Sequence, residues 1–171
     1  MVPLHVVVMG VAGCGKSLVG ARLAAALELP LIEGDDFHPA GNIAKMRQGI
    51  PLEDADRAEW LRELVAQLRA RPQGAVLTCS ALKRSYRDTL RGAVPMLHFV
   101  HLSLTPHQAM ERVASRTDHF YPPSLVASQF EALEPPQGEP GVLCVDASAH
   151  VDRVVDEAAD WLQAQRALHN P

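Results

Sequence analysis

The sequence has no long apolar run and no basic tract. None of its apolar stretches approaches the roughly 20 residues that a membrane-spanning helix needs. Its 16 lysines and arginines are scattered and outnumbered by 20 acidic residues, so bulk attraction to nucleic acid or to a membrane surface is not expected. The amino-terminal stretch MVPLHVVVMG has no basic segment and no signal-cleavage site. We predict a cytoplasmic protein with neither a membrane nor a nucleic-acid partner.

Patterns of cysteine and of metal ligands are also missing. The three cysteines, Cys14, Cys79 and Cys144, form no C-x-x-C pair, and the eight histidines show neither H-E-x-x-H nor H-x-x-x-H spacing. These absences argue against a disulfide framework and against a zinc site. Because no His–Asp partner pattern accompanies Cys79, we expect this residue to be a small buried side chain and not a nucleophile.

Strand and helix patterns alternate along the chain. Strand-like apolar runs occupy residues 4–10, 29–33, 75–80, 97–104 and 141–148. Helical periodicity occupies residues 16–28, 55–71, 106–116 and 150–168. The 171 residues are 47% hydrophobic, which suits one domain with one core. We therefore predict a single three-layer α/β domain over residues 1–171, with a five-stranded, mainly parallel sheet and helices on both faces.

Residues 10–17 read GVAGCGKS and match the phosphate-binding pattern G-x-x-x-x-G-K-[ST]. The motif follows a predicted strand and opens a predicted helix, which is the context it requires. Backbone N–H groups of such a loop surround phosphate oxygens, Lys16 can reach the β- and γ-phosphates, and the Ser17 hydroxyl can ligate Mg²⁺. The predicted nucleotide-binding residues of the loop are Gly10, Gly13, Cys14, Gly15, Lys16 and Ser17.

Other motifs narrow the class of phosphate-loop protein. The base-reading N-K-x-D and the switch D-x-x-G of GTP-binding switches do not occur, and the third strand ends in LTCS, without the Asp of motor ATPases. A small-metabolite kinase remains, in which the acid lies after the second strand. Glu33 and Asp35 of LIEGDD occupy that position, and the carboxyl ends of parallel strands are where ligands bind. A kinase needs such a carboxylate to orient the attacking hydroxyl and to accept its proton.

Together, four segments resemble the gluconokinase family of small-metabolite kinases, relatives of shikimate and adenylate kinases. The segments are GVAGCGKS, GDDFHPAGNIAKMRQGIPLEDADRAEWL, CSALKRSYRDTLR and HFYPPSLVASQFEALEPP. The resemblance covers nearly the whole chain, and its long second and third segments are highly specific. It implies phosphorylation of gluconate by ATP with Mg²⁺ to give 6-phosphogluconate, usually by a homodimer. A kinase for another small sugar acid or polyol, and a non-catalytic nucleotide-binding regulatory module, remain alternatives.

The segment of about residues 35–60 is predicted to bind the acceptor. Within it, Asp35 is expected to orient the 6-hydroxyl and take its proton, whereas Asp36 is expected only to shape the turn. Glu33 could hold a Mg²⁺-bound water or be structural. Because His38 precedes a proline, its backbone is extended, which can aim the ring at a substrate hydroxyl.

Gluconate is an anion, so its site needs at least one arginine or lysine for the carboxylate. Lys45 and Arg57 are candidates for the carboxylate or for hydroxyls, and Lys83 could support either the substrate, including its carboxylate, or the transferring phosphate. The sequence does not choose among them. Ser80, at the end of the third strand, is expected to bind sugar hydroxyls, whereas Arg84 and Arg87 could equally be surface charges on the helix that follows.

Two arginines lie four residues apart on one face of the helix before a predicted lid of about residues 116–124. In related kinases, one arginine of such a pair stacks on adenine and the next enters the lid. This resemblance implies that Arg112 stacks on the base and that Arg116 stabilises the charge of the transition state. Further candidates for lid or substrate contacts are His119 and Gln129.

Overall fold

The five predicted strands form one parallel sheet. The computed structural model of the protein describes residues 2–115 and 122–169. The strands are Leu4–Met9 (β1), Leu31–Glu33 (β2), Gly74–Thr78 (β3), His98–Ser103 (β4) and Val142–Asp146 (β5). Their order across the sheet is β2-β3-β1-β4-β5, and every neighbouring pair is parallel. The predicted three-layer α/β class is confirmed, and the sheet is fully parallel.

Helices cover both faces of this sheet. The α-helices are Lys16–Leu27 (α1), Ala40–Arg47 (α2), Asp54–Arg69 (α3), Arg84–Arg91 (α4), Pro106–Ala114 (α5), Val126–Ala132 (α6) and Val151–Leu168 (α7). Short 3₁₀ turns occupy Gly34–Phe37 and Pro123–Leu125. The four helices predicted from periodicity are present with ends that differ by one or two residues, whereas the periodicity does not indicate α2, α4 and α6.

Each face of the sheet has its own apolar core, because strands buried on both faces alternate their side chains between two helical layers. On one face Val6 and Val8 pack with Leu23 of α1 and Ala158 of α7. On the other face the strands pack against α3 and α4. That second core contains Val7, Met9, Trp60, Leu64, Leu77 and Leu90. Because β2, β3 and β1 are adjacent and parallel, their carboxyl ends lie side by side at one edge of the sheet.

The polar run from Glu33 to Met46 is more regular than its sequence indicates. A 3₁₀ turn at Gly34–Phe37 is followed by α2, whose preceding residue, Pro39, has φ of −58°. Proline fixes φ near this value and so initiates the helix. Only Asn42 and Met46 of α2 are buried. Two buried positions in eight residues are too few to produce a recognisable helical periodicity in the sequence.

No helix within the described parts of the chain is long and apolar enough to cross a membrane.

Candidate active site

The phosphate-binding loop connects β1 to α1. Three of its glycines have φ of +150°, +84° and +93°, at Gly10, Gly13 and Gly15. At Gly13 a Cβ atom would lie 2.9 Å from the carbonyl oxygen of Ala109 on α5. Because the left-handed conformation and the close approach both exclude a side chain, only glycine fits there.

Lys16 lies over this loop at the first position of α1. Its Nζ donates to the carbonyl oxygens of Gly10, at 3.0 Å, and Val11, at 3.2 Å. The ammonium group is thus held by the same loop whose N–H groups can surround phosphate oxygens.

Ser17 points towards the end of β2. Its hydroxyl donates to a Glu33 carboxylate oxygen at 3.1 Å, and the Thr78 hydroxyl donates to the same oxygen at 2.8 Å. Glu33 and Thr78 are register partners on β2 and β3, so strand pairing brings this carboxylate to the loop. Within the described residues no group of three or more His, Cys, Asp or Glu side chains is placed to hold a metal ion.

One cleft brings the loop together with residues from the polar segment. Its lining residues are Ala12, Gly13, Gly15, Lys16, Ser17, Asp35, His38, Met46, Leu52, Arg57, Trp60, Ser80 and Gln129. Four of the predicted acceptor residues therefore face the predicted phosphate site: Asp35, His38, Arg57 and Ser80. Asp36 is exposed and is not in this lining set.

His38 is oriented by three contacts. Its ring stacks on the indole of Trp60, with centroids 4.2 Å apart and an interplanar angle of 13°. The Asn42 amide nitrogen donates to the carbonyl of Asp56 and lies 3.2 Å from His38 Nδ1. Nδ1 is therefore the acceptor, and Nε2 carries the proton, 3.7 Å from an Asp35 oxygen.

The imidazole of His38 is neutral near pH 7. Burial lowers the pKa of His38 to about 4, against the opposing effect of the Asp35 carboxylate, and the positive charge of Arg57 lowers it further. A neutral ring with a fixed tautomer can donate one hydrogen bond to a hydroxyl in the cleft. Its partner Trp60 is fixed in turn, because the indole N–H donates to the Gly34 carbonyl at 2.7 Å.

Of the three candidates for binding the acceptor carboxylate, Arg57 is the one that lines the cleft. It is only 7% exposed, and its Nη1 donates to the Leu52 carbonyl at 2.9 Å and to the Tyr86 hydroxyl at 3.2 Å. The Tyr86 hydroxyl donates to Asp54, and burial followed by this bond raises the pKa of Tyr86. The guanidinium is therefore held by a buried phenol that stays protonated.

The two candidate lysines are paired outside that lining set. Lys45 Nζ contacts both carboxylate oxygens of Asp56, at 2.8 and 2.9 Å, and Lys83 Nζ lies 2.8 Å from Asp54. These hydrogen bonds hold the pKa of both aspartates below the usual range. Asp56 also accepts from the Glu53 N–H in a capping box at the start of α3, so Lys45 is tied to the architecture of that helix.

Arg84 and Arg87 differ, although they lie on the same helix. Arg84 is exposed, whereas Arg87 is fully buried and its Nη2 lies 2.6 Å from Glu139. The interpretation of Arg87 as a surface charge is therefore wrong. Its guanidinium also donates to the carbonyls of Ala81 and Leu82, and so it braces the loop after β3. The sequence gives little warning, because the buried partner lies 52 residues away.

Ser80 lies on the chain just after β3. Its carbonyl accepts from the Gly10 N–H at 3.3 Å, which ties the end of this strand to the phosphate loop. The neighbouring Cys79 is buried, and this burial raises the pKa of its thiol to about 12. Cys79 is therefore an uncharged packing residue, in agreement with the sequence-based expectation.

Arg112 lies beside the phosphate loop. Its Nη2 donates to the Ala147 carbonyl at 2.7 Å, and Nη1 lies 3.4 Å from the carbonyls of Gly13 and Cys14. A second, mostly apolar cavity adjoins it. The lining residues of that cavity are Gly15, Leu18, Val19, Arg112, Ala147, Ala149, Val151 and Val154. Arg116 and His119, which the sequence assigns to the lid, lie outside the described residues.

Several residues that line or support the cleft carry little or no functional signal in the sequence. Trp60 fitted the apolar face of a helix, and Met46 and Leu52 carried no chemical signal. Gln129, a minor candidate in the sequence, accepts from the Ala12 N–H at 2.6 Å. No motif in the sequence indicates Tyr86, because its position under Arg57 depends on the packing of α3 against α4.

Comparisons with known proteins agree with this geometry. A family model described as an AAA domain matches residues 6–136. Gluconokinase of Gluconobacter oxydans is 44% identical over 166 residues, which cover 95% of this chain and 93% of the relative. Thermosensitive gluconokinase of Escherichia coli is 41% identical over 164 residues, covering 94% and 88% of the two chains. The crystal structure of a gluconokinase from Sinorhizobium meliloti superposes with a TM-score of 0.90, at 46% identity and 98% and 96% coverage.

The parallel sheet, its phosphate loop and the carboxylates that follow β2 define a kinase of the phosphate-loop class. The identities of 44% and 41% to two gluconokinases, over nearly the whole chain, indicate the family more specifically than the fold does. This chain belongs to the gluconokinase family, and the resemblance drawn from its sequence is confirmed.

Proposed function

We propose that this enzyme transfers the γ-phosphoryl group of ATP to the 6-hydroxyl of D-gluconate, giving 6-phosphogluconate and ADP. The observation that carries the proposal is the single cleft lined both by Lys16 and Ser17 and by Asp35 and Arg57. The first pair suits a phosphate donor, and the second suits an acidic polyol. The relatives named gluconokinase support the choice of acceptor.

On the donor side, loop N–H groups bind the phosphates and Lys16 moves from the loop carbonyls to the β- and γ-phosphates. Arg112 stacks on the base, and the apolar cavity that includes Leu18 and Val151 accepts it. Arg116 remains our proposed stabiliser of the transferred phosphoryl charge.

Ser17 and Glu33 suit Mg²⁺. The Ser17 hydroxyl and the Glu33 carboxylate are oxygen donors 3.1 Å apart, and Mg²⁺ prefers oxygen ligands and retains several waters. Ser17 would hold the ion directly and Glu33 through a water. When bound there, Mg²⁺ neutralises part of the charge on the β- and γ-phosphates.

On the acceptor side, Asp35 orients the 6-hydroxyl and takes its proton. The carboxylate is half-exposed and lies in the lining of the cleft. Because the transition state of phosphoryl transfer is loose, positioning of this hydroxyl contributes more than basicity. Neutral His38 and the Ser80 hydroxyl bind further hydroxyls.

Arg57 binds the carboxylate of the acceptor. Its guanidinium offers N–H donors beyond Nη1 in a planar fork that matches a carboxylate. Burial strengthens such a contact because the local dielectric is low. Lys45 and Lys83 each neutralise an aspartate already, so we assign them support of α3 and hydroxyl contacts.

The proposed assembly is a cytoplasmic homodimer. It follows from the family resemblance alone, and light scattering of the purified protein would measure its mass directly.

The proposal is tested by ADP release with gluconate, other sugar acids, small polyols and shikimate as acceptors. Asp35→Asn is expected to lower kcat by roughly 10²- to 10⁴-fold, because the carboxylate that orients the 6-hydroxyl and accepts its proton is lost. Its affinity for a non-hydrolysable ATP analogue should stay within about threefold, since the phosphate loop is intact.

Asp36→Asn is the matched control, because this neighbour is exposed and does not line the cleft. It should retain the activity of the wild type. Turnover of another acceptor without gluconate turnover would reject the substrate. An Asp35→Asn variant as active as Asp36→Asn would reject the role of Asp35, and absence of turnover with every acceptor would favour a regulatory nucleotide-binding module.

A further inference from the structure

The side chain of Gln129 joins α6 to the phosphate loop. The Ala12 N–H donates to Gln129 Oε1 at 2.6 Å, across 117 residues of sequence. Both residues are 7% exposed, and both line the cleft. A loop N–H group, the kind of group that binds phosphate, is therefore held by a side chain from a different part of the chain.

This contact is sensitive to substitution. A buried N–H that loses its acceptor costs the desolvation energy of that group, and a buried hydrogen bond is stronger than an exposed one. The segment around Ala12 has no regular secondary structure. Its position therefore depends on such tertiary bonds.

Apolar packing supports the same connection. A third core, separate from the two sheet faces, contains Val11 and Ala12 of the loop, Val113 of α5 and Val126 of α6. Helix α5 ends at Ala114 and α6 begins at Val126. The two helices that flank the predicted lid in the chain thus share one core with the phosphate loop.

The chain after α6 is joined to the acceptor side. The Glu134 N–H donates to the Leu82 carbonyl at 2.8 Å, and the Arg84 N–H donates to the Glu134 carboxylate at 2.7 Å. Leu82 belongs to the loop that also carries Ser80. We call this loop the acceptor loop. Helix α6 is therefore joined to the phosphate loop through Gln129 and to the acceptor loop through Glu134, which follows the helix.

We propose that Gln129 is a positioning residue that couples nucleotide binding to acceptor binding. By fixing the Ala12 N–H, Gln129 links the conformation of the phosphate loop to the position of α6. The position of α6 is linked in turn to the acceptor loop through Glu134. Each ligand then favours the arrangement that the other requires. The inference rests on the proposed function, since it takes gluconate as the second ligand.

The test measures the affinity of the wild-type enzyme for a non-hydrolysable ATP analogue by calorimetry, with and without saturating gluconate. The wild type should bind the analogue more tightly with gluconate. Gln129→Met keeps the side-chain length and removes the acceptor, so its affinity should fall about tenfold without gluconate, and the gluconate-dependent gain should disappear.

Two variants control the experiment. Ser128→Ala changes the preceding residue, whose hydroxyl donates to the Leu125 carbonyl within its own turn, so it should keep both wild-type properties. Gln129→Glu keeps an acceptor oxygen. The gluconate-dependent gain should survive in it, although the added charge weakens absolute affinity for phosphates.

Several results would overturn the coupling role. One is a wild type that turns over gluconate but binds the ATP analogue no more tightly with gluconate. Another is a Gln129→Met variant that keeps the full gluconate-dependent gain in affinity. A third is a folded Gln129→Glu variant that lacks this gain. A lower Tm for Gln129→Met with unchanged affinity and gain would also overturn it, because it would assign only a structural role. Absence of gluconate turnover in the wild type would instead reject the proposed function.

Discussion

The two sides of the cleft to which we assign the nucleotide and the acceptor, called the nucleotide side and the acceptor side, are built differently. The nucleotide side is one continuous stretch, residues 10–17, whose glycines have positive φ and whose proposed phosphate-binding groups are mainly backbone N–H. The acceptor side consists of side chains from separate elements that hold one another. Arg57 contacts Tyr86 across 29 residues, and His38 stacks on Trp60.

This difference indicates how each side responds to substitution. A backbone cradle is sensitive to any change that shifts φ or inserts a Cβ atom. A site built from side chains tolerates an added Cβ atom where space is available, but it is sensitive to the loss of an individual charged or aromatic side chain. Removing one partner of a buried pair leaves the other unsatisfied.

Among the changes that compare the two sides of the cleft, Gly13→Ala should weaken nucleotide binding most. Its Cβ atom would lie 2.9 Å from the Ala109 carbonyl and 3.0 Å from Val113 Cγ2, at a φ of +84°. Displacement of the loop should weaken nucleotide binding by about 100-fold, the equivalent of overpacking a core by 2–3 kcal/mol. Calorimetry with the ATP analogue measures this loss.

Gly41→Ala is the matched change on the acceptor side. Nothing lies within 4 Å of its added Cβ, and the residue lies in α2, so stability should rise by about 0.5–1 kcal/mol. Nucleotide affinity should not change. Equal losses of affinity in Gly13→Ala and Gly41→Ala would contradict the proposed contrast between the two sides.

The next effect concerns the charge on the acceptor side. Arg57→Met should raise KM for gluconate about 10- to 100-fold, because a charge-assisted hydrogen bond of about 1.5–3 kcal/mol is lost. KM for ATP should change little. Steady-state kinetics with each substrate varied in turn separates the two constants.

Lys45→Met and Lys83→Met are the corresponding controls. Both lysines are partly exposed and paired with aspartates, and exposed pairs contribute little. Each variant would lose a hydroxyl contact but not the carboxylate contact, so we expect KM for gluconate to rise by about threefold at most, less than in Arg57→Met. A larger change in either lysine variant than in Arg57→Met would move the carboxylate site to that lysine.

The smallest expected effect is the pH dependence of stability. Burial lowers the pKa of both His38 and His101 to about 4, so the unfolded chain, with a histidine pKa near 6.5, takes up protons first as the pH falls. The free energy of unfolding should therefore drop on acidification, by about 1 kcal/mol per histidine between pH 7.5 and pH 5.5.

Chemical denaturation at the two pH values tests this effect. His38→Asn should remove one contribution and so give a smaller drop than the wild type. His107→Asn, which changes an exposed histidine on α5, should keep the drop of the wild type. An unchanged drop in His38→Asn would show that His38 does not stay neutral in the folded protein.

The fold was largely predictable from the sequence. Continuous apolar runs and four strong helical periods located the five strands and the long helices, because burial on both faces of a parallel strand and on one face of a long helix leaves a periodic pattern. The short helices α2 and α6 are not predicted, and α4 is expected only as the helix that follows the third strand. Two buried residues in α2 and two in α6 carry too little pattern.

The candidate site was only partly predictable. The phosphate loop and Asp35 are read from contiguous motifs. Arg57, Lys45 and Lys83 look alike in the sequence, and only packing places Arg57 in the cleft and pairs the lysines with Asp56 and Asp54.

By itself, then, the sequence determined the class of fold, the phosphate loop and the family, because these are written in adjacent residues and in periodic burial. The tertiary structure decided which of the three candidate cations lines the cleft, that Arg87 is buried against Glu139, and that Gln129 reaches the Ala12 N–H. These contacts join residues 52 and 117 positions apart. Pairings at such distances depend on how helices pack on the sheet, and no local pattern records them.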